Sequence, residues 1–167
     1  MHKIFYPMSV YQLHAEQIIP ATMEEVWDFI SSPRNLREIT PPYMGFEVTS
    51  NRLPEKMYPG MIITYHVRPL LGIRMGWVTE ITHVEHMKYF VDEQRVGPYS
   101  LWHHEHWIEP VKDGVLMRDL VTYRLPLGPL GRLAHRLLVK KKLDGIFDYR
   151  KKFLEKKYGK SVPSPAP

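Results

Sequence analysis

Four residues of this chain could do proton chemistry if the fold brought them together: His104, His106, Asp92 and Asp119. An imidazole beside a carboxylate is a general acid or base with a fixed tautomer and raised basicity. Tyr123 could add a phenolic donor for a carbonyl or enolate oxygen. His104-x-His106 with one carboxylate is also a donor set that zinc or non-haem iron can use, although so short a spacing is common by chance. The bland alternative is a buried His–Asp network that rigidifies a sheet. No motif places a serine nucleophile. The chain has no cysteine, which excludes disulfides, thiolate metal sites and cysteine nucleophiles.

Three consecutive strands have to position these groups. Period-two alternation puts Phe90, Asp92, Gln94 and Val96 on one face, then Trp102, His104, His106 and Ile108, then Val115, Met117, Asp119, Val121 and Tyr123. Gly97-Pro98-Tyr99 and Asp113-Gly114 are turn signals. A three-residue turn at the first site would pair Asp92 with His104 and Gln94 with Trp102. At the second, a two-residue turn at Lys112-Asp113 would pair His106 with Asp119 and Trp102 with Tyr123. A one-step shift would change partners and leave the same face inward. Buried polar groups cost free energy unless partnered, so this patch is either an internal network or the lining of a wet cavity.

The rest of the chain supplies the frame. Tyr11 to Ile19 alternates as a first strand. Thr22, with Glu25 three residues on, has capping-box spacing ahead of the apolar stripe Val26, Trp27, Phe29 and Ile30. Ser31-Ser32-Pro33 stops that helix, and a short second one is expected over Asn35 to Ile39. Strands follow at Phe46 to Val48, Met61 to Val67 and Ile73 to Val84, the last turned in by Leu71-Gly72. Pro126 ends the strand region. From Pro129 to about Tyr158 the spacing of Leu130, Leu133, Leu137, Asp144, Phe147 and Leu154 predicts one long helix, bent near Gly145. The Leu125 to Gly131 connector could shape a cavity mouth or be a plain strand-to-helix turn.

The 167 residues suit one domain, expected over 1–160 with a disordered Pro/Ser tail at 161–167. A hydrophobic content of 44% and a charged content of 25% fit a globular protein. No apolar run approaches the ~20 residues of a membrane span. The N-terminus lacks the apolar stretch and cleavage site of a secretory signal, so a cytoplasmic protein is the expectation. The formal charge of +5 gathers in Lys140-Lys141-Lys142 and in Arg150 to Lys157. Such runs are first of all solvated helix faces, and no nucleic-acid motif accompanies them, so no nucleic-acid partner is expected.

A strand, two small helices, a curved antiparallel sheet of about six to seven strands and a long C-terminal helix form an α+β helix-grip pattern. In this order the chain resembles the SRPBCC (START-like) superfamily, which includes START lipid-transfer domains, the birch-pollen allergen family and the polyketide cyclase/dehydrase group. Phe90, Asp92, Gln94, Gly97-Pro98-Tyr99, Trp102, His104 and His106, then Asp119, Tyr123, Leu125-Pro126, then Ile146-Phe147 and Arg150 resemble a bacterial ligand-binding subfamily. Its members stand alone or follow a sugar-nucleotide epimerase-like domain, and some carry cell-division-related names. The resemblance implies an apolar cavity between sheet and long helix, holding a small lipid-, isoprenoid- or polyketide-like ligand. It implies no reaction, because this fold hosts carriers, receptors and enzymes.

The expected ligand-binding set is Tyr65, Met75, Trp77, Asp92, Gln94, Trp102, His104, His106, Asp119, Tyr123 and Arg150. Arg150 would reach Asp119 or Asp92, or stand exposed on its helix. His104, His106, Asp119 and Tyr123 are the candidates should the protein instead be a cyclase-, dehydratase- or isomerase-type enzyme. A third reading is an interaction module for an epimerase or cell-division partner. No cofactor or metal is expected.

Overall fold

The computed structural model describes residues 9–69 and 72–160. Leu71 of the expected turn and the tail at 161–167 lie outside the described residues. Seven strands form one antiparallel sheet: β1 (Tyr11–Ile19), β2 (Glu47–Val48), β3 (Met61–Val67), β4 (Met75–Glu85), β5 (Tyr89–Val96), β6 (Leu101–Val111) and β7 (Gly114–Arg124). Their order is β1-β7-β6-β5-β4-β3-β2, so β5, β6 and β7 lie inside the sheet rather than at an edge.

Between β1 and β2 stands helix α1 (Met23–Ile30). Thr22 Oγ1 accepts from the Glu25 amide at 3.2 Å, and Glu25 Oε2 accepts from the Thr22 amide at 2.9 Å, which completes the capping box. Val26, Trp27, Phe29 and Ile30 are all buried, packing with Ile63, Ile81, Phe90 and Ile108 from the sheet. Thr22→Ala removes one of the helix's few satisfied amides, with an expected loss of about 1 kcal/mol in denaturant unfolding. The expected second helix is a 3-10 turn at Pro33–Arg37, two residues earlier than its apolar residues suggested, because Pro33 fits a first-turn position.

The C-terminal segment is helical from 128 to 158: α2 (Gly128–Ala134), a π-helical turn (His135–Val139) and α3 (Lys140–Tyr158). The irregularity therefore lies at His135–Val139 and not at Gly145, which is helical; Tyr43 Oη would lie 3.6 Å from a Cβ there. The buried positions are Gly131, His135, Val139, Leu143, Arg150 and Leu154. Leu130, Leu133 and Leu137, expected on the core stripe, are exposed instead. The face turned inward is that of Gly131 and His135, four residues apart, which lies on the other side of the helix from these leucines.

Gly131 shows how closely α2 packs on the end of the sheet. A Cβ there would lie 2.1 Å from the Pro126 carbonyl oxygen and 3.2 Å from Leu125 Cβ. The connector from Leu125 to Gly131 lines a groove of its own with Tyr11 and Ser100, apart from the main cavity.

Candidate functional site

Register places the polar residues as the turn lengths required. Asp92 faces His104 across β5 and β6, and β6 meets β7 at His106↔Asp119 and Trp102↔Tyr123. The turn between β6 and β7 is Lys112-Asp113, with Val111 opposite Gly114. Regular pairing of β5 with β6 stops at Glu93↔His103, so Gln94 does not pair with Trp102. Its amide holds the following turn instead: Nε2 donates to the Tyr99 carbonyl at 2.6 Å and Oε1 accepts from the Tyr99 amide at 3.2 Å.

Four ionisable side chains and one guanidinium meet under α3. His104 (7% exposed), His106 (5%), Asp119 (6%) and Arg150 (7%) are buried, while Asp92 is partly exposed. Arg150 Nη1 donates to Asp119 Oδ1 at 2.8 Å, and His104 Nε2 donates to the same oxygen at 3.0 Å. His106 Nε2 donates to Asp92 Oδ2 at 2.8 Å, and His104 Nδ1 lies 3.4 Å from that atom. Trp102 Nε1 donates to the other Asp92 oxygen at 3.3 Å. Arg150 Nη2 reaches His106 Nδ1 at 3.3 Å. His106 Nδ1 also lies 2.9 Å from Asp119 Oδ1, within hydrogen-bond distance.

The proton count follows from the partners. Burial works to raise Asp92, but hydrogen bonds and charge from His104 and His106 outweigh it and hold its carboxyl well below the ordinary range. Burial opposes ionisation of Asp119 too, and Arg150, followed by the two imidazoles, holds it far below normal. His104 is depressed by burial but raised further by its hydrogen bonds to Asp119 and Asp92, so it carries a proton more readily than free histidine. His106 is pushed down by burial and by the neighbouring His104 charge, against the pull of both aspartates. The imidazoles lie 3.7 Å apart between ring centroids, which is why one charge excludes a second. Two carboxylates facing one guanidinium leave one positive charge to be supplied by the imidazoles, and the opposite shifts favour His104 over His106 as its site.

This network closes one end of a cavity of about 180 Å³. Asp92, His104, His106 and Arg150 line it, with Tyr65, Trp77 and Trp102 of the expected set. Phe46, Tyr99, Ile146 and Phe147 complete an apolar wall, and Val139, Lys142 and Leu143 bring the helix to it. Trp77 packs edge-to-face on Trp102 at 5.5 Å and stacks with Tyr65 at 6.0 Å. Thr79 anchors both Trp77 and Tyr65: it accepts from Trp77 Nε1 at 3.1 Å and shares a hydrogen bond of 2.9 Å with the Tyr65 hydroxyl.

Other members of the expected set stand elsewhere. Met75 shares the face of Trp77 but lies at the start of β4, opposite Val67, and does not line the cavity. Asp119 is behind the imidazoles. Tyr123 is buried, and its hydroxyl shares a hydrogen bond of 2.9 Å with His135 Nε2. Tyr11 stacks on His135 at 3.5 Å. His135 escaped sequence reading because it lies opposite the leucine stripe, on a helix face marked only by Gly131 and Val139. Ile146, Phe147 and Val139 were legible only as apolar helix residues. Their spacing carries no mark of what they cover.

A divalent cation would find donors from Asp92, His104 and His106 within 4.8 Å of one another. It would have to displace the hydrogen bonds that these atoms make to one another, and it would stand beside the Arg150 guanidinium.

An antiparallel sheet gripping a long C-terminal helix, with a mostly apolar cavity between them, defines a helix-grip domain of the SRPBCC type. The chain belongs to the family described as polyketide cyclase / dehydrase and lipid transport, which matches residues 19–146. That membership supports a ligand-binding role without naming the ligand. Among solved structures, TTHA0849 from Thermus thermophilus is 21% identical with a TM-score of 0.62, covering 89% of this chain and 97% of that one. A protein from Rhizobium leguminosarum (15%, TM-score 0.64, 89% and 96%) and CV1439 from Chromobacterium violaceum (13%, 0.64, 89% and 97%) share the fold likewise. At such identities the likeness shows the fold alone. No curated protein matches the chain. No helix among the described residues is long and apolar enough to cross a membrane.

Proposed function

We propose that this chain binds a small, largely apolar ligand between the sheet and α3, with one polar end of the ligand turned toward Asp92, His104, His106 and Arg150. The carrying observation is an aromatic-walled cavity lined on part of its surface by a buried network of ionisable groups. Such a space gives apolar contact area along its walls and orientation at one end. Arg150 Nε is buried without a hydrogen-bond partner, so a ligand carbonyl, ether or carboxylate oxygen near it would meet a donor already desolvated. The volume is below the ~300–1,000 Å³ of drug-sized sites, which favours a compact ring system or short isoprenoid over a whole two-chain lipid.

The enzyme reading uses the same histidines as acid and base. One observation favours it: two imidazoles stand side by side at the cavity wall, their ring centroids 3.7 Å apart. Against it, all four ring nitrogens face partners inside the network, and none is left to take a substrate proton. The binding reading needs no rearrangement and is preferred.

Native mass spectrometry of freshly purified protein tests it directly. A co-purified adduct of small mass is expected, and it should be lost in Ile146→Trp, which fills the cavity. Adding the identified compound at a hundred times its Kd should stabilise the fold by about 2.7 kcal/mol, or roughly 5–10 °C in Tm for a chain of this size. Absence of any adduct, together with no thermal shift across sterol-, isoprenoid- and polyketide-like compounds, would overturn the proposal.

A further inference from the structure

We infer that the face of α2 and the π-helical turn is a docking surface for an anionic lipid bilayer. Leu127 (75% exposed), Leu130 (67%), Leu133 (54%), Leu137 (65%) and Leu138 (43%) stand in water along this one short segment. Single exposed leucines are ordinary, but a run of five is not. Leu130, Leu133 and Leu137, three and four residues apart, lie on neighbouring turns of one helical surface, with Leu127 at the N-cap before them and Leu138 next to the last.

Charge decides what covers this face. Between Asp119 and Asp144 the chain has no acidic residue, while Arg124, Arg132, Arg136, Lys140, Lys141 and Lys142 all fall there. Within the segment itself, Arg132 and Arg136 alternate with the leucines, and the lysines follow at the next turn. A second copy of the same face would bring two cationic strips together, which opposes self-association through it. An apolar stripe flanked by cations is what an interfacial helix presents to headgroups that are negatively charged: the leucines enter the acyl boundary and the cations stay at the phosphates. Lys140 pairs with Asp144 at 2.9 Å, but both are well exposed and the pair is open to exchange for a phosphate. The orientation is also productive. Val139, Lys142 and Leu143, immediately after the leucines, line the cavity, so a docked helix would hold the cavity's helical wall close to the bilayer. The inference stands on this surface and not on the ligand reading, and its test uses no ligand.

Flotation with vesicles of phosphatidylcholine alone and of phosphatidylcholine with phosphatidylglycerol is the experiment. Binding is expected only to the anionic vesicles, weakening as salt rises. Leu133→Ser and Leu137→Ser, both at exposed positions that should leave the fold intact by circular dichroism, should each weaken partition about tenfold. A triple Lys140→Gln, Lys141→Gln, Lys142→Gln variant should weaken it at least as much. Equal binding to both vesicle types, binding indifferent to the leucine changes, or no binding at low salt would each overturn the inference. So would a dimer in analytical ultracentrifugation that the same leucine variants dissociate, which would make the face a self-association surface.

Discussion

Arg150→Met should be the most damaging single change in the cluster, lowering stability by about 3–5 kcal/mol. The guanidinium is the one permanent cation in the network, and it donates to both Asp119 and His106. Met matches the aliphatic stem, so the loss isolates the charged head. Without it, Asp119 is a buried carboxylate facing imidazoles alone, and His106 Nδ1 faces Asp119 with no donor between them. At roughly 2–4 °C per kcal/mol for a chain of 150–250 residues, Tm should fall by about 6–20 °C. Arg150→Lys should recover only part of this, because an ammonium cannot hold a fork against two acceptors. Pairing Arg150→Met with Asp119→Leu should cost less than the sum of the two single changes, since the double variant leaves no unpaired buried charge at this position. Loss below about 1 kcal/mol for Arg150→Met in urea unfolding would mean that the imidazoles alone satisfy Asp119, and the network described above would be wrong in its central bond.

Much of this site was legible because strands obey a strict rule of two. Alternation settled which side chains pointed inward, while the turn lengths left a one-step shift open at the second turn; of the two registers the structure has the one with Lys112-Asp113 as the turn, giving His106↔Asp119 and Trp102↔Tyr123 beside Asp92↔His104. The capping box at Thr22 and Glu25 was legible for the same reason: its information is local. The helix was harder. Leu130, Leu133 and Leu137 share a face as their spacing says, yet nothing in spacing says that the sheet covers that face. Here the basic residues between them, Arg132 and Arg136, held the information that the apolar count hid. His135 faces inward on the side of the helix away from those leucines, and its bond to Tyr123 joins two elements that only packing brings together. Gln94 shared the expected inward face, but its amide closes the Gly97-Pro98-Tyr99 turn, a use that alternation cannot distinguish from lining a cavity. Arg150 was open between a buried and an exposed role until β7 and α3 were placed together. The carboxylate on one side and the guanidinium on the other are 31 residues apart, and only packing joins them.

His104 and His106, two residues apart on one strand, should shape the pH profile of stability in opposite ways. His104 is raised in the folded state, so its contribution is fully present below the unfolded histidine value of about 6.5 and is lost as pH rises through its folded value. His106 is lowered, so its contribution is present above about 6.5 and is lost as pH falls, because the unfolded chain takes up a proton that the folded chain refuses. His135, lowered by burial and then by Lys140, adds to the second trend in every variant and so serves as a constant background. Both aspartates are depressed, which places their stabilisation above about pH 4 and its loss in more acid solution. Wild type should therefore show a maximum at about pH 6.5, falling on the alkaline side as His104 gives up its proton and on the acid side first through His106 and then, more steeply, through the carboxylates. In His104→Gln the decline above about pH 6.5 should flatten. In His106→Gln the decline just below about pH 6.5 should shrink, with the steeper carboxylate limb kept. Glutamine retains an amide donor for Asp119 or Asp92, so the variants differ from wild type chiefly in the missing titration. Urea unfolding across about pH 4 to 9 reads these slopes for all three proteins. Parallel profiles in the two variants would show that the imidazoles share one proton without preference, and the assignment of a charged His104 beside a neutral His106 would fail.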